Sequence, residues 1–431
     1  MDPIVGIVAF ILILFAALAL KVPIGIGIGG AAITVLLLAG ADVRDAPQVA
    51  VSALDSFPFL AIPGFVLAGT LMARGGVSAA IVGFARSIVG HVRGSMGAIA
   101  VIASGLFGTV TGSSIATIAA VGGFMVPEMD KAGYERRYTA ALIGSAGFIG
   151  ILIPPSVPGI LYAVTAGLSI ADVWLSTVGP AIALIILFII INYFYSRGTQ
   201  DKSVRPPTGE YLRGIGRSGW HVLPAMLMPV LIFGGIYGGV FTPTEAAGVT
   251  ALYGLIVSVF VYKGIKANGL WGVFRSAALV SAILSVLIAF ASIAGRMITT
   301  LQVPQALSDL VVSNIESPLV FLLITNILLL LVGMFLETNT SILVLTPIFA
   351  TIAAAVGVDP LHFAAIMLLN LEIGMITPPF AGNLFLSCRL AGVRLDQVIR
   401  PLLPFYGAAL AVLAVTTLWP DFSTWIPRTL G

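Results

Sequence analysis

Gly150-Ile151-Leu152-Ile153-Pro154-Pro155 and Gly374-Met375-Ile376-Thr377-Pro378-Pro379 are two copies of one pattern, one in each half of the chain. Each interrupts a hydrophobic stretch that would otherwise read as a single helix. A Pro-Pro pair removes two N–H donors and frees carbonyls in the preceding turn. Gly150 and Gly374 let the backbone turn there. Each copy runs on to an Ala-Gly pair, Ala166-Gly167 and Ala391-Gly392. Upstream of each lies a polar interruption in apolar sequence. The first is Thr111-Gly112-Ser113-Ser114-Ile115, with Pro127 after it; the second is Thr338-Asn339-Thr340-Ser341-Ile342, with Pro347 after it. Further upstream, Val22-Pro23 opens a Gly-rich span as Thr242-Pro243 opens Thr244–Gly248. The chain therefore reads as two repeats, each with an interrupted segment followed by a broken helix.

The surroundings place these breaks in a membrane. Of 431 residues, 59% are hydrophobic and 9% charged, with mean hydropathy +1.10. A soluble chain carries about 25% charged residues. Runs near the roughly 20 residues needed to cross a bilayer recur throughout, most clearly Ile4–Leu20, Val22–Ala41, Thr177–Tyr195, Val222–Val240, Ala246–Tyr262 and Leu402–Leu418. The first begins almost at Met1 without a basic leader and is expected to be retained as a span. Arg197–Arg217, the longest polar stretch, is expected to be a loop. The 48 Gly and 25 Pro suit close helix packing and deliberate breaks in lipid. Trp174, Trp220, Trp271, Trp419 and Trp425 fall near span ends and read as interfacial anchors. His91, His221 and His362 carry no functional signal. The lone Cys388 excludes an intramolecular disulfide. No phosphate-binding, zinc-ligand or nucleophile pattern appears, and a net charge of +3 is no nucleic-acid signature.

Ten spans and two re-entrant hairpins segregate the charge. Arg44, Arg296 and Arg428 fall on one side and the other 18 basic residues on the opposite, cytoplasmic side. The split holds only if each interrupted segment returns to the face it entered, one from each side. The predicted fold is thus an all-α polytopic membrane protein with inverted repeats, two re-entrant hairpins and two broken helices, an elevator-type transporter architecture.

Irregular backbone at membrane depth must line a cavity. Freed carbonyls with Ser and Thr hydroxyls form an all-oxygen cage suited to Na⁺, and half-helix N-termini favour an anionic group. The first candidate cation site joins Gly112, Ser113 and Ser114 to Gly150, Pro154 and Ser156. The second joins Thr338 and Thr340 to Gly374, Met375 and Thr377. Ser114, Ser156, Asn339, Thr340 and Asn383 are the candidate substrate contacts. Capping and kinking alone would also place such residues here. Glu337 and Glu372 are the two acids expected away from loops and span ends. They either bind a cation, carry a proton, or accept backbone N–H bonds in support of the hairpin. Asn370 and Asn383 would serve equally as helix–helix glue.

Gly238-Gly239-Val240-Phe241-Thr242-Pro243-Thr244-Glu245-Ala246-Ala247-Gly248 resembles a signature of the large membrane subunit of tripartite ATP-independent periplasmic (TRAP) transporters. Gly147–Pro158 and Gly374–Pro379 resemble it too, and the likeness covers nearly the whole chain. It implies an ion-transporter fold in a bacterial inner membrane, sodium coupling, a separate small four-helix membrane subunit and a soluble periplasmic substrate-binding protein. The implied cargo is a small organic acid such as a dicarboxylate or sialic acid. On that reading, 95–168 and 318–392 form a mobile transport domain. Segments 4–94, 176–317 and 401–420 form the scaffold, with 76–93 and 302–316 as arms. The rival is a stand-alone sodium- or proton-coupled carboxylate carrier or exchanger of the same fold. An enzyme would need a nucleophile paired with a base, and none is visible.

Overall fold

The structure, a computed structural model, describes residues 1–196, 207–314 and 317–430, and the described residues contain helices and no strand. Arg197, Lys202 and Arg205, which the charge split uses, lie outside them. The first half begins with α1 (Pro3–Ala19), α2 (Ile24–Leu38), α3 (Ala46–Leu54), α4 (Ala61–Arg74) and α5 (Val77–Val89). A first hairpin follows: α6 (Ser95–Thr111) descends to a tip, and α7 (Ser114–Thr117) and α8 (Gly123–Lys131) return through a wide helical turn at Ile118–Gly122. The first broken helix is α9 (Arg136–Leu152) and α10 (Val157–Ala166), bent by 44°. Then come α11 (Ile170–Ser176), α12 (Val178–Tyr195), α13 (Thr208–Tyr237), α14 (Pro243–Ile256), α15 (Ala267–Thr300) and α16 (Val303–Asn314). The second hairpin is α17 (Pro318–Phe335) and α18 (Thr338–Ala355). The second broken helix is α19 (Pro360–Gly374) and α20 (Gly382–Ala391), followed by α21 (Leu395–Leu418) and α22 (Asp421–Leu430).

Local chemistry explains the boundaries. Asp2, Thr242 and Asp359 each precede a Pro and cap the helix that follows. At Thr242 the cap is reciprocal, because Glu245 accepts from the Thr242 backbone N–H at 2.8 Å. The Thr-Pro-Thr-Glu stretch is thus a helix start, and the helix it starts packs along α4. The paired Ala-Gly endings are helix C-termini: Gly167 and Gly392 take φ of 70° and 67°, a left-handed conformation that closes α10 and α20.

Both Pro-Pro sites break their helices, and both peptide bonds are cis. Behind each break two helices touch through glycine. A Cβ on Gly108 would lie 2.2 Å from the Gly150 Cα, and one on Gly374 would lie 2.5 Å from the Gly333 Cα. Lipid offers no hydrophobic drive for helix association, so such backbone approach is what holds each hairpin limb to its broken helix.

Several expectations need correction. The Arg197–Arg217 stretch is not all loop, because α13 starts at Thr208. Among the described residues eight helices are long and apolar enough to span, nine if the bent pair counts as one, and of the ten spans expected α1, α2 and α19 are apolar but shorter than 18 residues. The break shortens α19, and α1 ends and α2 begins at the tight turn around Lys21; the hairpin limbs α17 and α18 reach span length. Trp174 is no interfacial anchor: it is 1% exposed and its indole N–H donates to the Ser156 carbonyl at 3.0 Å. The other four Trp are exposed. The second tip is Leu336-Glu337, so Thr338, Asn339 and Thr340 form the first turn of α18. Glu337 therefore sits in the tip as the residue before the helix rather than ahead of it. The helices α12 and α21 have each other, α9, and α6 or α19 as principal neighbours. The helices α1 to α4, α14 and α15 pack chiefly among themselves, and α13 packs on α5 and α14.

Candidate functional site

The two tips face one cavity of about 900 Å³. Gly112, Ser113 and Ser114 line it from the first tip, and Glu337, Thr338, Asn339 and Thr340 from the second. Glu372 and Met375 reach it from the second broken helix. The opposite wall comes from α2, α4 and α15. Along that wall the cavity extends to Arg74 and Pro23, the ends of α4 and α2 next to the basic side of the molecule.

The first tip needs Gly112. Its φ is 57°, and a Cβ there would lie 2.4 Å from the Pro155 carbonyl oxygen. The tip is thereby pressed against the first break. Ser113 caps α7 by accepting from the Ala116 N–H at 3.4 Å. Ser156 caps α10 by accepting from the Gly159 N–H at 3.2 Å. Gly150 supports the tip from behind, facing Gly108 and Thr117. Gly150, Pro154 and Ser156 are thus adjacent to the first tip but do not line the cavity.

The second tip is organised by acids. The Thr338 hydroxyl donates to Glu372 Oε1 at 2.6 Å, and the Asn339 amide donates to Glu337 Oε1. Glu372 is 1% exposed. The side chains of Asn383 and Ser114 stand beside its carboxylate. Yet among the described residues Glu372 Oε2 and both polar atoms of the Asn383 side chain lack a hydrogen-bond partner. Groups from both tips, α19 and α20 therefore converge on one buried, oxygen-rich and under-satisfied point. Such a point is costly unless something binds there. Gly374 lies behind, against Gly333, and the Thr377 hydroxyl is turned back to the Ile373 carbonyl at 2.7 Å. Met375 is in the cavity wall, and its carbonyl accepts from the Asn383 N–H at 3.1 Å.

Of the two asparagines left open, Asn370 is glue. Its amide donates to the Asn326 side chain at 2.7 Å, and Asn326 donates to Thr417 at 2.9 Å, tying α17, α19 and α21 together. Sequence reasoning missed Trp174, which holds the first break in place, and Arg74. For Arg74 the only signal was its position at the end of a span. Several charges outside the spans form ion pairs. Arg137 donates to Glu135 and holds that carboxylate below its usual range. Among the described residues no three His, Cys, Asp or Glu side chains cluster as a divalent metal site would require.

Comparison with known proteins gives the family of the chain. Residues 11–422 match the family model of the tripartite ATP-independent periplasmic transporter, DctM component. The chain is 37% identical over 93% of both chains to the C4-dicarboxylate TRAP transporter large permease protein DctM of Pseudomonas aeruginosa. It is 33% identical to the sialic acid TRAP transporter large permease protein SiaM of Vibrio cholerae, covering 91% of this chain and 92% of that one. Against the isethionate TRAP transporter permease protein DctMQ of Oleidesulfovibrio alaskensis, 35% identical, it covers 61% of the relative's length. These relatives are named as transporter subunits rather than enzymes. Among solved structures, the Alcanivorax borkumensis YdaH transporter shares the fold with TM-score 0.62 at 16% identity, over 90% of this chain and 89% of that one. Neisseria gonorrhoeae MtrF does so with TM-score 0.60 at 12% identity, over 89% of this chain and 85% of that one. This multi-pass membrane chain belongs to the family of TRAP transporter large permease subunits, the DctM component.

Proposed function

We propose that the chain is the sodium-coupled permease of a bacterial inner-membrane importer, carrying a small organic anion delivered by a periplasmic binding protein and anchored by a small membrane subunit. The observation that carries the sodium reading is the convergence of Ser114, Thr338, Glu372 and Asn383 around an unsatisfied carboxylate oxygen and amide beside the cavity. An all-oxygen donor set with one buried carboxylate suits a hard monovalent cation. A bound Na⁺ would supply the positive charge that the two acids otherwise lack, and would hold both tips in register for the anion. Relatives named for C4-dicarboxylates and sialic acid favour a carboxylate cargo.

The motion we infer is an elevator in which the two hairpins, entered from opposite faces, travel with both broken helices. By packing, α12 and α21 go with this moving body, while α1 to α4, α14 and α15 stay as the frame. Because the cavity runs from the tips to the basic side, the conformation described corresponds to one open toward the cytoplasm.

Ser114→Ala and Thr338→Ala should each raise the sodium concentration for half-maximal uptake by about tenfold, the equivalent of roughly 1.4 kcal/mol for one lost ligand. Sodium titration of uptake, normalised to membrane-embedded protein, measures it. Unchanged half-saturation in both variants would remove the tips from the cation site. A proton-coupled carrier is the second reading, favoured by the same burial of Glu372. Glu372→Gln would then abolish a pH-dependent step, whereas a sodium ligand lost at this position weakens sodium dependence without moving the pH profile.

A further inference from the structure

Arg74 brings a basic side chain to the cavity that holds both tips, and nothing in the sodium and tip machinery uses it. It closes α4. Five residues earlier on the same helix, Gly69 packs on the first tip, where a Cβ would lie 3.1 Å from the Thr111 Cα. Five helical residues advance the chain by about 7.5 Å, so Arg74 stands one and a half turns further toward the basic face. Its guanidinium crosses to α15: Nη2 donates to the Ser276 Oγ at 2.8 Å, and the Ser276 hydroxyl is in turn committed to the Gly272 carbonyl at 2.8 Å. Among the described residues no carboxylate pairs with Arg74. A helix-terminal Arg favours the helix dipole whatever else it does. That role needs no cross-helix anchor and no cavity-facing position, and a lipid-facing Arg would reach for headgroups instead.

We propose that Arg74, positioned by Ser276, is an exit-side anion subsite. It receives the carboxylate or sulfonate of the cargo as that group leaves the tips and sets the affinity seen from the cytoplasm. This rests on the anion-transport reading above. A guanidinium with one N–H engaged retains four donors, enough for a two-point contact with a planar carboxylate. Because α4 and α15 pack on one another in the proposed frame, the subsite stays fixed while the tips move, so the cargo passes from a moving site to a stationary one.

The test reads the subsite without knowing the cargo. In a Cys388→Ala background, Thr70→Cys places a thiol in the cavity wall one turn above Arg74. Its labelling rate is compared for a sulfonatoethyl and a trimethylammonioethyl methanethiosulfonate. The anionic reagent should be preferred by about tenfold at low salt, with the preference lost in Arg74→Gln and retained in Arg74→Lys. In proteoliposomes of the complete transporter, Arg74→Gln should also raise about tenfold the internal substrate concentration that half-inhibits uptake, leaving the external KM unchanged. No anionic preference, or one that survives Arg74→Gln, overturns the proposal; so does an equal change in both affinities. Failure of the anion-transport reading would look different: no organic acid would be taken up, although the labelling preference persisted.

Discussion

Gly374→Val should cut uptake by about a hundredfold, the scale set by a misplacement of about 1 Å between interacting groups, while the protein still inserts in the membrane. A Cβ at this position would lie 2.5 Å from the Cα and 2.6 Å from the carbonyl carbon of Gly333, both backbone atoms that cannot swing aside. The second hairpin limb must then move off α19. That movement shifts Glu372, two residues before Gly374, relative to Thr338, to which it is joined by a 2.6 Å hydrogen bond. Gly108→Val should do the same in the first half, where the Cβ would meet the Gly150 Cα at 2.2 Å. Gly123→Ala, in the first hairpin but with no atom within 4 Å of the new methyl, should transport normally. Uptake per membrane-embedded molecule measures all three. Normal transport by Gly374→Val would mean that the breaks are not held by backbone contact.

The chain without partners should give near-background uptake at micromolar substrate. Restoring a small membrane subunit and a ligand-loaded binding protein should raise uptake by about two orders of magnitude or more. A transport site of millimolar affinity is filled to roughly one part in a thousand at micromolar substrate. Among the described residues, the segments that the charge split puts outward are the short helices α3, α11, α16 and α22, none large enough to fold into a capturing domain. Delivery by a second protein removes that occupancy limit, and a further helical subunit enlarges the frame against which the tips move. Reconstitution with each component omitted in turn measures it, and brisk uptake by the chain alone would promote the stand-alone carrier.

Much of this was legible because it depends on local backbone chemistry. The Pro-Pro breaks, the Ala-Gly endings and the Pro-led helix starts each follow from what one or two residues do to φ or to an N–H donor. The presence of polar tips was legible for the same reason. Their register was not: the first tip turns at a glycine, Gly112, but the second turns at Leu336-Glu337 with extended backbone, and Thr338 to Thr340 read as a break although they begin a helix. Direction was also hidden. Charge sidedness used Arg74 as a basic residue at the end of a span without saying that it turns inward to Ser276. Nearness to a span end suggested an interfacial role for Trp174, which instead supports the Ser156 carbonyl from within. A span that is apolar all round does not announce its neighbours, so α12 and α21 could be grouped only once their packing was known.

The central claim is that both tips close on one sodium-dependent site for an organic anion. The most direct measurement is accumulation of candidate organic acids in proteoliposomes holding the complete transporter, with an inward sodium gradient, an equal potassium gradient, or a proton gradient alone. The account predicts accumulation only with sodium, with half-saturation weakened by both Ser114→Ala and Thr338→Ala. Equal accumulation under a potassium or proton gradient would contradict it.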